Sequence, residues 1–235
     1  VNVVGSTIAR ETDHGLYIHA GPEIAVASTK AFLAQLTVFS LLALYFGRQR
    51  NMSQAAGTRL AEELQVLPSK IEKMLQQEEQ IAALARKYAN CQSMLYLGRG
   101  YNSPLASEGA LKLKEIAYIH AEGYPAGEMK HGPIALLDTS FPTFVIATKD
   151  SVFEKTISSI EEIRAREAPV IALASEGDDR LLHLTDDIIY VPKTIEMLSP
   201  ILNVIPMQLF AYHVAVARGL DPDKPRNLAK SVTVE

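Results

Sequence analysis

Between residues 94 and 218, short unbroken apolar runs alternate with helical stretches, and this alternation leaves few folds open to the chain. Apolar runs fall near 94–97, 142–147, 169–174 and 187–191, and helical patterns fill 104–119, 151–166 and 199–218. A run such as Val170-Ile171-Ala172-Leu173 offers no polar face to water. Strands of that kind are buried on both sides, which requires helices above and below a parallel sheet. The expected fold class is therefore α/β, a doubly wound parallel sheet flanked by helices.

The segment 95–133 carries the densest chemistry. Leu95, Tyr96 and Leu97 read as a strand, Gly98-Arg99-Gly100 as a tight turn, and Ser103-Pro104 as an N-cap followed by proline at the first helical position, with the helix running to about Ile119. A helix start offers unpaired N–H groups and the positive end of the macrodipole, a natural place for an anion. Glu108, Lys112 and Glu115 are spaced four and three residues apart and so share one face, while Leu105, Leu111, Leu113 and Ile116 supply apolar surface. Spacing alone fits an ordinary solvated ion-pair ladder as well as a site. Downstream lie the Gly127–Pro133 turn with His131 and the closing segment Asn227-Leu228-Ala229-Lys230. A tail lysine is ordinarily solvated. The apolar Leu228, Val232 and Val234 around Lys230 argue instead that this tail docks.

The chain has 235 residues, 48% hydrophobic and 21% charged, which is ample for a packed core. A formal charge of -4 with no basic stretch beyond Arg48-Gln49-Arg50 argues against a nucleic-acid or membrane-surface role and points to small molecules or proteins as partners. The single cysteine, Cys91, excludes an internal disulfide and fits a reducing, cytoplasmic compartment. The longest apolar run, Ala31 to Phe46, is broken by Gln35, Thr37 and Ser40 and falls short of the roughly 20 residues a membrane span needs. It reads as a buried helix. The six histidines have no metal-ligand spacing, so neither a metal nor another cofactor is expected.

A shift of 173 residues lays Tyr17, Glu23, Gln35 and Leu36 over Tyr190, Glu196, Gln208 and Leu209, each copy reading as a short strand, a loop with a glutamate and a long apolar helix. The helices end together, at Gly47 and Gly219, one residue out of register. This is the mark of a duplication. The second copy is complete, whereas the first has only its last strand and helix; with Val rather than Met at position 1, the rest is expected upstream. The expected organisation is a first-domain remnant over 1–52, a helical linker over 53–89 broken near Pro68, a second domain over 90–219, and a tail over 220–235 that Pro222 and Pro225 keep out of helix.

Four motifs, PEIAVASTKAF at 22–32, EGALKLKE at 108–115, GEMKHGP at 127–133 and PRNLAKSVTVE at 225–235, resemble the C-terminal isomerase region of the glutamine–fructose-6-phosphate aminotransferase family. The resemblance covers the whole chain. It implies two sugar-isomerase (SIS) domains behind an N-terminal glutaminase domain, and conversion of fructose 6-phosphate and glutamine-derived ammonia to glucosamine 6-phosphate. By the same resemblance Glu115 is the base that moves a proton between C1 and C2, and Lys112 is its helper. Lys230 engages the open-chain carbonyl, and Val26 and Ala229 give backbone contacts to the sugar. His131 is implied in ring opening, reaching the site of a neighbouring subunit in a homodimer. Ser28, beside Thr29 and Lys30, is a candidate substrate-binding residue, with a plain helix cap as the alternative. The family's phosphate-gripping loops and its glutaminase cysteine would precede Val1, so the chain alone is expected to be inactive. Two other readings keep the fold: a phosphosugar-binding regulator, which needs neither Lys230 nor Glu115, and a fructosamine deglycase or ketose-phosphate isomerase, which lacks the glutaminase.

Overall fold

In a computed structural model, which describes residues 1–230, the four apolar runs and one further strand form a five-stranded parallel sheet. Its strands are β1 (Ser93–Gly98), β2 (His120–Pro125), β3 (Thr143–Ala147), β4 (Val170–Ser175) and β5 (Asp187–Val191). Helices are α1 (Thr7–Glu11), α2 (Lys30–Arg48), α3 (Gln54–Leu75), α4 (Glu78–Tyr88), α5 (Asn102–Ala117), α6 (Phe153–Arg164) and α7 (Ser199–Ala217), with short 3-10 turns at Met129–His131, Pro133–Leu136 and Glu196–Leu198. The strand order β2-β1-β3-β4-β5 reverses direction between β1 and β3, as in a doubly wound fold. The α/β expectation holds.

Successive residues of each central strand feed two different cores, which is why the strands read as unbroken apolar runs. Tyr96, Phe144, Ile146, Ile171 and Leu173 face α4, α5 and α7. Leu97, Val145, Ala147 and Ala172 face α6 and the 126–137 loop. On the first face Tyr96 stacks on Phe144 with ring centroids 5.2 Å apart, and Phe210 of α7 meets Phe144 edge-on. The turn out of β1 admits only glycine at position 98, because a Cβ there would lie 2.0 Å from the Asn102 carbonyl oxygen.

Several local expectations are corrected. Helix α5 starts at Asn102, with Tyr101 in the cap position, so Ser103 is no cap and Pro104 lies inside the first turn. Asn102 turns inward instead, where its Oδ1 accepts from Asn203 Nδ2 at 2.9 Å. The helix ends at Ala117 because Tyr118 adopts a left-handed conformation, φ 56°. Pro68 does not break the linker: α3 runs through it, held by the buried Leu60, Leu67 and Met74, and the break falls at Gln76-Gln77. Strand β2 had no apolar signature because it is a half-exposed edge paired only with β1. At the other edge, Gln77 and Gln80 of the linker donate to the Tyr190 and Ile188 carbonyls of β5, each at 2.8 Å. Side-chain amides thus cover an edge that would otherwise present free carbonyls.

The first copy departs most. No strand forms over residues 1–29; Ile18 N–H donates to Val1 O at 3.0 Å, and Leu16 is half exposed. A strand needs a ladder beside it, and the described sheet belongs wholly to the second copy. For the same reason α2 is not the buried helix expected. Only Ala31 is buried along it, and Phe39 is 65% exposed, whereas its counterpart α7 is buried along most of its length. Length and composition alone would let both helices cross a membrane.

Past the left-handed Gly219, φ 70°, the tail leaves α7 without regular structure and is laid over the domain, as its prolines imply. The Asp223 carbonyl accepts from Val26 N–H at 3.2 Å. Arg226 N–H donates to the Tyr118 hydroxyl at 2.6 Å, and its guanidinium sits 4.3 Å from that ring's centroid. Val232 and Val234 lie outside the described residues.

Candidate active site

Lys112 sets this face apart from a solvated ladder. It is 3% exposed, although lysines on helices ordinarily reach solvent. Its Nζ lies 2.6 Å from Glu115 Oε2 and 3.4 Å from Glu108 Oε1, so one buried ammonium is shared by two partly covered carboxylates. A charge so enclosed is tolerable only when paired. Burial pushes the Glu108 carboxyl above its ordinary value, with Lys112 opposing and the Glu115 charge adding to the rise. The cluster therefore sets two carboxylates around one enclosed ammonium.

Two recesses open beside this cluster. Lys112 lines a cavity of about 140 Å³ together with Ala27, Thr29, Gln208, Tyr212 and Asp223. Glu115 lines a shallower one of about 510 Å³ with Lys114, Tyr118, His120, Arg226 and Leu228. Both are walled in part by the tail. Other hollows lie elsewhere: a larger apolar groove of about 940 Å³ between α2, α5 and the start of α7, which touches Glu108, and a polar cleft of about 500 Å³ near Lys87 and Asp187. Neither contains Lys112 or Glu115.

The tail lysine reaches this neighbourhood through Glu23. Lys230 Nζ lies 3.3 Å from Glu23 Oε2, and Glu23 Oε1 accepts from Thr29 N–H at 2.9 Å and from Ala31 N–H at 3.3 Å. Burial works against the charge on Glu23, but the hydrogen bonds from Thr29 and Ala31, and then from Lys230, outweigh it and hold the carboxyl below its usual value. Glu23 is the cap of α2, since the Thr29 side chain makes no capping bond, which corrects the reading of the Ser28-Thr29 pair as caps. Ser28 sits half-buried in the loop that Lys230 docks on.

The structure thus gathers Lys112 and Glu115 on α5, and brings Lys230 to the 23–29 loop whose Ala27 and Thr29 wall the Lys112 cavity. The Val26 N–H is already bonded to Asp223, and Ala229 is exposed next to Lys230. His131 is not brought to them. It is 75% exposed, 3.9 Å from Glu128, in a turn anchored by Met129 in the core on the other face of the sheet. Sequence reasoning missed the wall residues Gln208 and Tyr212 and the part played by Glu23. The repeat had marked Glu23 and Gln208, and nothing marked Tyr212. It also missed the buried network at the β1/β3 switch point, where Asn203 Nδ2 donates to Thr148 Oγ1 at 3.0 Å as well as to Asn102.

A family model described as the SIS domain matches residues 1–45 and 87–218. The chain is 56% identical over 234 residues to a glutamine–fructose-6-phosphate aminotransferase (isomerizing) of Chlorobaculum tepidum, with all of this chain and 38% of that protein covered. It is 54% identical over 236 residues to one from Thermus thermophilus, again over its whole length and 39% of the relative. Among solved structures, the C-terminal domain of glucosamine-fructose-6-phosphate aminotransferase from Francisella tularensis is 35% identical with a TM-score of 0.90, over 95% of this chain and 63% of that one. The chain therefore spans about two-fifths of the length of these curated relatives. Two matched segments, a doubly wound sheet and whole-length similarity agree that the chain belongs to the SIS domain family.

Proposed function

We propose that the chain is the isomerase portion of an enzyme that converts fructose 6-phosphate and glutamine-derived ammonia to glucosamine 6-phosphate. The observation that carries this reading is the buried Lys112 paired with Glu115 at 2.6 Å, near a loop on which Lys230 docks. The names of the whole-length relatives support it.

The chemistry needs the sugar ring opened, an imine formed at C2, and a proton moved from C1 to C2. Glu115 takes the C1 proton, holds it as the carboxylic acid and returns it to C2 from one side of the sugar, and Lys112 steadies the carboxylate before the first transfer and after the second. A positioned carboxylate contributes about 10² to 10⁴ in rate. Lys230 engages the carbonyl, with Val26, Ser28 and Ala229 around the sugar. His131 opens the ring in a neighbouring subunit of a homodimer, which suits its exposure on the far side of the sheet. The phosphate grip and the glutaminase belong to upstream parts of a soluble, cytoplasmic protein. The boundaries that fit are a first-domain remnant over 1–52, the linker over 53–89, the second domain over 90–219 and an active-site tail over 220–235.

The test is glutamine-dependent formation of glucosamine 6-phosphate by the complete protein. Glu115→Gln is expected to lower kcat by about 10²-fold or more, and Lys230→Ala to abolish turnover. Near-normal rates in both variants would overturn the reading.

A further inference from the structure

The two glutamates paired by the repeat make different contacts. Glu196 accepts from Ser151, from its N–H at 3.2 Å and its hydroxyl at 2.8 Å, and so ties the loop after β3. Glu23 turns into the start of α2, where one carboxylate oxygen takes the Thr29 and Ala31 amides. Two backbone donors on one oxygen, at a helix end whose dipole favours negative charge, leave that carboxylate little freedom. Its side chain is 11% exposed. The second oxygen faces the tail and receives Lys230. The strap that carries this lysine is held earlier by the Asp223 and Arg226 backbone bonds and by the buried Pro225, while residues 226–230 are exposed, so the Glu23 contact is what fixes the end of Lys230 among the described residues.

We propose that Glu23 is a positioning residue for Lys230: the α2 amides aim its carboxylate so that the tail ammonium docks over the 23–29 loop, beside the Lys112 cavity, before substrate arrives. The inference rests on the reading that Lys230 meets the open-chain carbonyl. An ammonium has no lone pair to offer. Lys230 therefore gives its proton to solvent and leaves the dock; its nitrogen then bonds to the carbonyl carbon, and the carbonyl oxygen departs as water. Glu23 takes no part in that bond-making.

Glu23→Gln keeps an oxygen for the Thr29 and Ala31 amides but removes the charge that Lys230 meets. In the complete protein, limited trypsin cleavage after Lys230 is followed by mass spectrometry, with cleavage after Lys30, at the start of α2, as the structural reference. Borohydride trapping of fructose 6-phosphate on Lys230 is measured alongside. Cleavage after Lys230 is expected to speed up about two- to fivefold, the range of a partly exposed ion pair. Cleavage after Lys30 stays unchanged, trapping slows by a similar factor without a change in half-saturation, and Glu23→Asp falls between. Unchanged cleavage after Lys230, or an equal rise after Lys30, would overturn the inference, the second result leaving Glu23 a helix cap and nothing more. If the wild-type protein traps no sugar on Lys230 while Glu23→Gln still shows the cleavage shift, the dock is upheld and only the chemistry assigned to Lys230 is overturned.

Discussion

Lys112 is enclosed between two acids, and its removal would leave Glu108 and Glu115 facing each other without a counter-charge. Lys112→Met is expected to cost about 2–4 kcal/mol at neutral pH, measured by urea unfolding, and to cost less in acid where the carboxylates are protonated. Glu108 bears the opposite sign. Its folded carboxyl sits above the unfolded value of 4.5, so the folded state binds the proton more tightly, and stability falls as pH rises from that value through the raised one. Glu108→Gln should flatten that fall and leave stability at pH 7 unchanged or higher. The Glu108, Lys112, Glu115 face was legible from spacing alone. The burial of Lys112 was not, because its cover comes from Gln208, Tyr212, Asp223 and the 25–29 loop, all distant in sequence.

At the level of elements, what could be read followed what was buried. Strands β3, β4 and β5 and helix α7 came within a residue or two of their observed limits because both faces of those strands are apolar. Strand β2, exposed along much of one face and ending in Pro125, carried no such signal. Pro68 misled because tertiary packing of Leu60, Leu67 and Met74 outweighs a local breaker. The Gln77 and Gln80 contacts give the linker a second task, since an open β5 edge is a template for another chain. Replacing both with alanine should cost about 1–3 kcal/mol for two lost hydrogen bonds, read by urea unfolding, and should raise light scattering on warming. Unchanged stability and scattering would mean that water serves those carbonyls equally well.

Across the whole molecule, the repeat was legible in its helical halves and misleading in its strands. Helices α2 and α7 correspond in position and apolar character, but residues 16–18 find no sheet to join and stay irregular. His131 lies apart from Lys112 and Lys230 within one chain, 75% exposed and on the other side of the sheet. If it acts across a homodimer, then mixing inactive His131→Ala chains with inactive Lys230→Ala chains should restore about a quarter of wild-type turnover, because half the dimers are mixed and each mixed dimer has one intact site. No recovery after exchange of subunits, verified by native mass spectrometry, would confine His131 to its own chain.

Glu23 and Lys230 meet across 207 positions of sequence. During synthesis the glutamate emerges first and has no cation to meet until the whole α/β unit between them has been translated. A nascent polypeptide halted beyond Val191 already holds every strand of the sheet and still lacks the ammonium that fastens the strap, so this clasp can close only over a core already made.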